Sequence, residues 1–208
     1  MKLKGFFSDA RGSHDWEHTE RVYALCMCLG REEWANPDVL RFAAVLHDVG
    51  RGFEDKSEGK ICHAEKGAAI AREVLLKHGM DALKVDEIVH CVECHRFRGD
   101  KVPVSCEAKV LFDADKLDSI GAVGVGWAFL FAGEVGARRH NGDVDVLKTE
   151  AYCREDTAYR EFMVKLRKVK DRMLTSSGRR LALGRHRFMV EFFEVLDKEV
   201  RGTPPIYT

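Results

Sequence analysis

Hydrophobic and polar positions alternate with a helical period along most of the chain. Between residues 15 and 33, apolar side chains recur every three or four positions, as at Val22, Leu25, Cys26 and Leu29. This spacing is typical of a helix with one buried face. Similar spacing predicts further helices over residues 38–47, 61–78, 85–94, 105–118, 121–136, 157–174 and 181–200. No segment alternates convincingly with period two, so the sequence predicts an all-α protein.

The breaks between these segments have residues typical of turns. Asn36-Pro37 predicts a turn, and Pro37 or Asp38 is expected to open the next helix. Residues 50–59 are polar and bounded by glycine, which predicts a loop. The loop directly follows His47 and Asp48, so it is expected to border any site that these two residues form. Residues 121–136 are apolar and rich in glycine, which predicts a buried helix packed closely against its neighbours.

Two chemically reactive residues end one of the most apolar runs. His47 and Asp48 follow directly on FAAVL, although protein cores normally exclude both residue types. The cost of burying them is offset if they bind a metal ion. His18 lies upstream, and a carboxylate-rich stretch lies downstream at residues 113–118. Such a mixed nitrogen and oxygen set suits Mn²⁺, Fe²⁺, Ni²⁺, Co²⁺, Mg²⁺ or Zn²⁺.

The order of these elements resembles the HD superfamily of metal-dependent phosphohydrolases. The resemblance rests on HDWEHTERV, LHDVGR, CHAEKGAAIA with HRF, and DADKLDSIGAVG, and it extends into KLRKVKDRMLTSSGRRLALGRHRFM. It implies an all-α helical bundle that forms a single domain over residues 1–208. Within that domain, the HD core is expected at about residues 14–120 and a C-terminal helical extension at about residues 121–200.

The same resemblance implies the ligands of one divalent metal ion. They are His18, the pair His47 and Asp48, and one aspartate from a later helix. The Ala-Asp-Lys context favours Asp115 as that aspartate.

Three nearby residues receive lesser roles. Asp118 lies three positions after Asp115, near the same helix face, and is expected to orient a ligand or a water molecule. Asp113 is expected on a different helix face from Asp115 and is interpreted as a surface residue. His14 lies four positions before His18 and is a candidate for a supporting or substrate contact.

The catalytic groups follow from the chemistry of phosphoryl transfer. Lys116 and Arg51 are expected to stabilise the negative charge that develops on the phosphoryl oxygens. His63 and His95 are expected to contact the phosphate or the transition state. Glu65 is a weaker candidate for the general base.

The number of metal ions depends on how the histidines pair. In some members of the superfamily, histidines at comparable elements bind a second metal. Here His90 and His95 are five positions apart and not adjacent, so the pair looks incomplete. One metal ion is therefore expected. Cys91, Cys94 and His95 also match the haem-attachment pattern CxxCH, but that chemistry needs export, and no export signal is visible.

Composition limits the location and the partners. The 34 basic and 34 acidic residues cancel, which argues against broad nucleic-acid or membrane binding. The opening sequence does not resemble a signal peptide, and no apolar run is long enough to span a membrane, so a cytoplasmic protein is expected. Seven cysteines are then interpreted as free thiols.

Two features after residue 120 bear on the substrate. The basic residues of the C-terminal third are interpreted mainly as a solvated helix face, and the alternative that a few of them contact a polyphosphate stays open. Trp127 stands where relatives with a similar DADKLDSIGAVG element often carry an arginine, so one phosphate contact is in doubt.

The function implied is hydrolysis of a phosphoester or phosphoanhydride bond in a small soluble substrate. Relatives of this size suggest a nucleotide and an activity like that of a dNTP pyrophosphohydrolase. Two alternatives stay open: a cyclic or linear nucleotide phosphodiesterase, and a non-catalytic ligand-binding module stabilised by its metal.

Overall fold

The computed structural model describes residues 16–96 and 101–203, and within these ranges it contains helices and no strand. The all-α fold predicted from the sequence is therefore confirmed. His14 lies outside the described residues. In the part of the chain that is described, no helix is long and apolar enough to cross a membrane.

The helices, numbered in chain order, have the following bounds: α1 Trp16–Glu32, α2 Pro37–Leu46, α3 Arg51–Lys56, α4 His63–Lys77, α5 Ala82–Cys94, α6 Cys106–Asp118, α7 Gly121–Glu134, α8 Ala158–Val164 and α9 Ser176–Val200. Short 3₁₀ segments cover Val146–Lys148 and Leu166–Arg172. The described residues divide into two compact units, the first within residues 16–96, 101–116 and 174–178, the second within residues 117–173 and 179–203.

In the first unit, α2 packs against α1 and α5, and α4 packs against α5. Val22, Leu40 and Ile88 are almost fully buried in its core. The turn before α2 is the one the sequence predicts, because Asn36 Oδ1 accepts a hydrogen bond from the Asp38 backbone nitrogen at 3.0 Å. Pro37 is the first residue of the helix.

The loop predicted at residues 50–59 is wrong in its first half. Arg51–Lys56 forms the short helix α3, with Ser57 as its C-cap, and the chain then turns through Gly59 at a φ of 81°. The sequence pattern missed this helix because it is too short and too polar to show an apolar period. Its side chains at positions 51 and 54 nevertheless lie one turn apart and point the same way.

The second unit contains α7, α8 and most of α9, with α7 and α8 in contact. Its core includes the stacked rings of Phe162 and Phe193, whose centroids are 4.7 Å apart. The prediction of a buried helix at residues 121–136 is only half right. Val123 and Leu130 are 38% and 51% exposed, so α7 buries one face and leaves the other open.

The two closing helices also differ from the sequence pattern. Residues 157–174 form α8 followed by a 3₁₀ segment, and not one continuous helix. Basic side chains of this region are mostly exposed, in keeping with a solvated face, and they include Lys165, Lys168, Arg172, Arg179, Arg180 and Arg187.

Candidate metal centre

A tight turn places the HD pair against the start of a neighbouring helix. His47 directly follows α2, and the chain then turns through Gly50. A Cβ atom at Gly50 would collide with the backbone of His63 and Gly67 on α4. Only glycine therefore lets the turn approach α4 this closely. The close approach brings Asp48 next to His63.

The first group of donor atoms lies between α1, the turn at His47 and Asp48, and α6. His18 Nε2 is 3.2 Å from His47 Nε2, 3.4 Å from Asp115 Oδ1 and 3.8 Å from Asp48 Oδ2. His18, His47 and Asp48 are each at most 4% exposed. The structure thus brings together the four residues that the sequence and its resemblance proposed as metal ligands.

A second group of donor atoms surrounds the other oxygen of Asp48. Asp48 Oδ1 is 3.6 Å from both His63 Nε2 and His95 Nε2, and these two nitrogens are 3.2 Å apart. All three residues are buried. The sequence interpretation assigned His63 and His95 to phosphate contacts, and it did not foresee that they share Asp48.

The fixed tautomers of two histidines suit metal binding. His47 Nδ1 lies 2.8 Å from the Ala44 carbonyl oxygen, and His95 Nδ1 lies 2.6 Å from that of Val92. A carbonyl oxygen only accepts, so each Nδ1 carries a proton, and Nε2 is the nitrogen through which the neutral ring can bind a metal. Burial lowers the pKa of His47 to about 4 and that of His63 to about 2, which keeps both rings neutral.

The geometry around His18 fits a cation. Its Nε2 atom faces an imidazole nitrogen of His47 and carboxylate oxygens of Asp48 and Asp115. One proton on Nε2 can satisfy only one of these acceptors, whereas a divalent ion at the centre contacts all of them. Neutral imidazoles and carboxylates are common ligands of first-row divalent metals, including zinc. The residues present therefore fit the metal ion that the HD motif implies.

Lys116 lies on the far side of Asp115. Its Nζ atom donates a hydrogen bond to Asp115 Oδ2 at 2.7 Å and another to the His95 carbonyl oxygen. Although burial alone raises the pKa of Asp115, the Lys116 charge and the nearby histidines hold it well below its usual range. Lys116 is only 6% exposed. The geometry favours a role in holding Asp115, and direct contact between Lys116 and a phosphate stays a prediction.

Glu54 is a candidate site residue that the sequence interpretation missed. Its Oε2 atom is in contact with His63 Nδ1 and lies 3.0 Å from an Arg51 guanidinium nitrogen. Its Oε1 atom accepts a hydrogen bond from Arg96 at 3.0 Å. Carboxylates that bond the outer nitrogen of a histidine fix the orientation of the ring. The spacing of positions 51 and 54 was the available signal, and the loop prediction concealed it.

The remaining predicted residues lie in other surroundings. Glu65 is exposed on α4 and belongs to neither donor group, so its role as a base stays a prediction. Asp118 belongs to the second unit, where it is buried and its charge partly offsets the lowering of the Arg185 pKa by burial. Its role in orienting a ligand also stays a prediction.

One interpretation needs correction. Asp113 is not a surface residue, because it is fully buried and accepts hydrogen bonds from Leu174 and Thr175. His90 and His95 do not form a pair, in agreement with the sequence interpretation, because the His90 ring contacts the Cys94 sulfur and the Val104 backbone nitrogen, each at 3.3 Å. Positions 90 and 95 lie more than one helical turn apart.

The family described as HD domain matches residues 15–120, which include every residue of both donor groups. The chain belongs to the HD domain family. The Bacillus subtilis protein YpgQ is 32% identical over 204 residues, covering 96% of this chain and 91% of YpgQ. The crystal structure of YpgQ in complex with ADP superposes with a TM-score of 0.73 and 30% identity, covering 96% of this chain and 97% of that one.

Two further proteins are similar to this chain. An HD-superfamily hydrolase from Bacillus thuringiensis has a TM-score of 0.74 and 26% identity, covering 96% of this chain and 93% of its own. Ribonuclease Y of Symbiobacterium thermophilum is 27% identical over 113 residues, which are 54% of this chain but 20% of that protein. The likenesses identify an HD-superfamily hydrolase and leave its substrate open.

Proposed function

We propose that this protein is a metal-dependent phosphohydrolase that cleaves a phosphoester or phosphoanhydride bond of a small nucleotide. The observation that carries the proposal is the first donor group, in which His18, His47, Asp48 and Asp115 converge in a buried position. Burial of this many metal-binding groups without a cation would be costly. The proposed centre therefore holds a divalent ion in the working protein.

A divalent ion held by these four residues would activate a water molecule and polarise a phosphoryl oxygen. The residues around it prepare the site for that chemistry. Lys116 keeps Asp115 ionised and oriented, while the Ala44 carbonyl fixes the His47 tautomer. Arg51 carries a positive charge beside Asp48 and His63, where it can face the non-bridging oxygens of a phosphate.

The proposal of a nucleotide substrate rests on a relative. YpgQ, which shares 30% identity and nearly the whole fold, was crystallised in complex with ADP. A nucleoside diphosphate or triphosphate presents the phosphates that a metal centre with adjoining cations would recognise. We therefore propose nucleotides as the substrate class and hydrolysis of a phosphoanhydride, with pyrophosphate or phosphate as a product.

The test combines metal content with product analysis. Wild-type protein and the double variant His47→Ala/Asp48→Ala are purified, assayed for bound metals, and incubated with dNTPs, NTPs and nucleoside diphosphates in the presence of Mn²⁺, Mg²⁺, Ni²⁺ or Co²⁺. We expect bound metal and release of phosphate or pyrophosphate in the wild type, and neither in the variant. Bound metal without turnover of any phosphate compound would instead favour a ligand-binding module.

A second candidate function is cleavage of a phosphodiester. Its support is the likeness of 54% of this chain to ribonuclease Y, which spans only a fifth of that protein. The same incubations with cyclic nucleotides and short oligonucleotides separate the two functions. Nucleoside monophosphates released from these diesters, with dNTPs left intact, would favour the phosphodiesterase.

A further inference from the structure

The second donor group already has a positively charged neighbour. One terminal nitrogen of Arg51, Nη2, lies 3.2 Å from Asp48 Oδ1 and 3.1 Å from His63 Nε2. These atoms are two of the three donors in that group, and His95 Nε2 is the third. The guanidinium thus donates toward the same lone pairs that a second metal ion would need.

Arg51 is held in this position from behind. Its other terminal nitrogen, Nη1, donates to Glu54 Oε2 at 3.0 Å, one turn along α3. Arg96 bonds to the opposite oxygen of Glu54 at 3.0 Å and so fixes the carboxylate. The Arg51 side chain is 18% exposed. The Arg51 side chain is therefore held by a hydrogen-bond network within the first unit and is not a loosely placed surface side chain.

A guanidinium and a second ion at this group exclude each other. An ion bound by the three donors would lie about 2 Å from each donor atom. It would then lie within a few ångströms of the Arg51 nitrogen, with a charge of the same sign and little water between them. The lone pair of His63 Nε2 also cannot serve a metal and an N–H donor together.

We propose that Arg51 is the resident cation of the second donor group, so that the centre takes one divalent ion at the first group. A second ion binds tightly only when the Arg51 side chain is displaced or removed. This inference rests on the proposed metal centre and adds the residue that sets its metal number. In this arrangement the Arg51 guanidinium lies next to the single ion, where both can face a phosphate.

The test counts metal ions independently of turnover. Mn²⁺ is titrated by equilibrium dialysis into wild type, Arg51→Met and the control Arg72→Met, which removes an exposed guanidinium paired with Asp86 on the surface. We expect one tight Mn²⁺ per chain in the wild type and the control. In Arg51→Met we expect a second ion bound at least tenfold more tightly than in the wild type.

Electron paramagnetic resonance gives a second readout. Two Mn²⁺ ions bridged by Asp48 would be spin-coupled, so the coupled spectrum is expected in Arg51→Met and absent from the wild type. Glu54→Gln provides a variant in which Arg51 itself is not mutated. It keeps an acceptor for His63 Nδ1 but weakens the anchor of Arg51, so its second ion should bind more tightly than in the wild type. Circular dichroism confirms that each variant is folded.

The outcomes separate this inference from the proposed function. Two tight ions in the wild type, or a second ion that binds no better in Arg51→Met and Glu54→Gln, would overturn the role of Arg51. The proposed metal centre fails by a different result, namely a His18→Ala variant that keeps the bound ion and the turnover of the wild type. Either one can therefore fail while the other stands.

Discussion

Asp113 accepts two hydrogen bonds from Thr175, one from its backbone nitrogen at 2.8 Å and one from its hydroxyl at 2.6 Å. The two residues are 62 positions apart in the chain. Asp115, on the same helix, faces His18 instead, at 3.4 Å. Two positions correspond to roughly 200° around a helix, so one carboxylate joins the fold and the other joins the donor group.

Because the two carboxylates have different partners, we expect Asp113→Ala to lower stability and Asp115→Ala to abolish metal binding. Asp113→Ala removes the acceptor of two buried Thr175 donors and of the part-buried Leu174 nitrogen, so it should lower the free energy of unfolding by about 3 kcal/mol. Its bound metal should remain at temperatures where it is folded. Asp115→Ala should lose the metal. Urea unfolding and metal analysis of both variants provide the check, and metal loss with unchanged stability in Asp113→Ala would contradict it.

Lys116→Met should change the pH dependence of metal binding. The Lys116 charge helps to hold the pKa of Asp115 well below its usual range, so Asp115 stays ionised in acid. Without Lys116 that pKa rises, and protons compete with the metal at a higher pH. Metal affinity should therefore fall more steeply in the variant than in the wild type between about pH 8 and about pH 5. Parallel binding curves for the two proteins would argue against this role.

Gly50→Ala should disturb the centre from outside the ligand set. The added methyl group collides with the backbone of His63 and Gly67, which cannot move without shifting α4. We expect a loss of about 1–3 kcal/mol in stability. Gly52→Ala is the matched control, because nothing lies within 4 Å of its Cβ position on α3. Thermal unfolding should show the loss at position 50 alone, and equal behaviour of the two variants would refute the close-approach argument.

Removal of the metal should destabilise the wild type. A ligand present at 100 times its dissociation constant stabilises the native state by about 2.7 kcal/mol. Addition of a chelator should therefore lower the melting temperature of the wild type and abolish turnover. The melting temperature of His47→Ala should not respond, because that variant lacks a ligand of the first donor group. An equal response of both proteins would place the stabilising ion elsewhere.

Parts of the centre could be predicted from the sequence because their signals are local. His47 and Asp48 stand out as polar residues at the end of an apolar helix, and Asp115 follows a second apolar run. The helices α1, α2 and α5 follow from their periodicity, with the start of α2 marked by Asn36. These features depend on neighbours within a few turns, which the sequence shows directly.

Other parts depend on contacts between distant segments. Glu54 gains its role only because the turn at Gly50 brings α3 beside His63. Asp113 and Asp115 look alike in sequence, and only the partner that each one meets distinguishes them. The short, polar helix α3 has no apolar period, so no local pattern distinguishes it from a loop.

The sequence by itself therefore determined the all-α class and the HD motif, and its family resemblance supplied a candidate metal-binding set of His18, His47, Asp48 and one later aspartate. Only the tertiary structure decided that Asp48 presents one oxygen to each of two donor groups, and that Arg51 lies within hydrogen-bond distance of two atoms of the second group. The physical reason is that periodicity records which residues are buried. The identity of a buried group's partner depends on how separate helices pack.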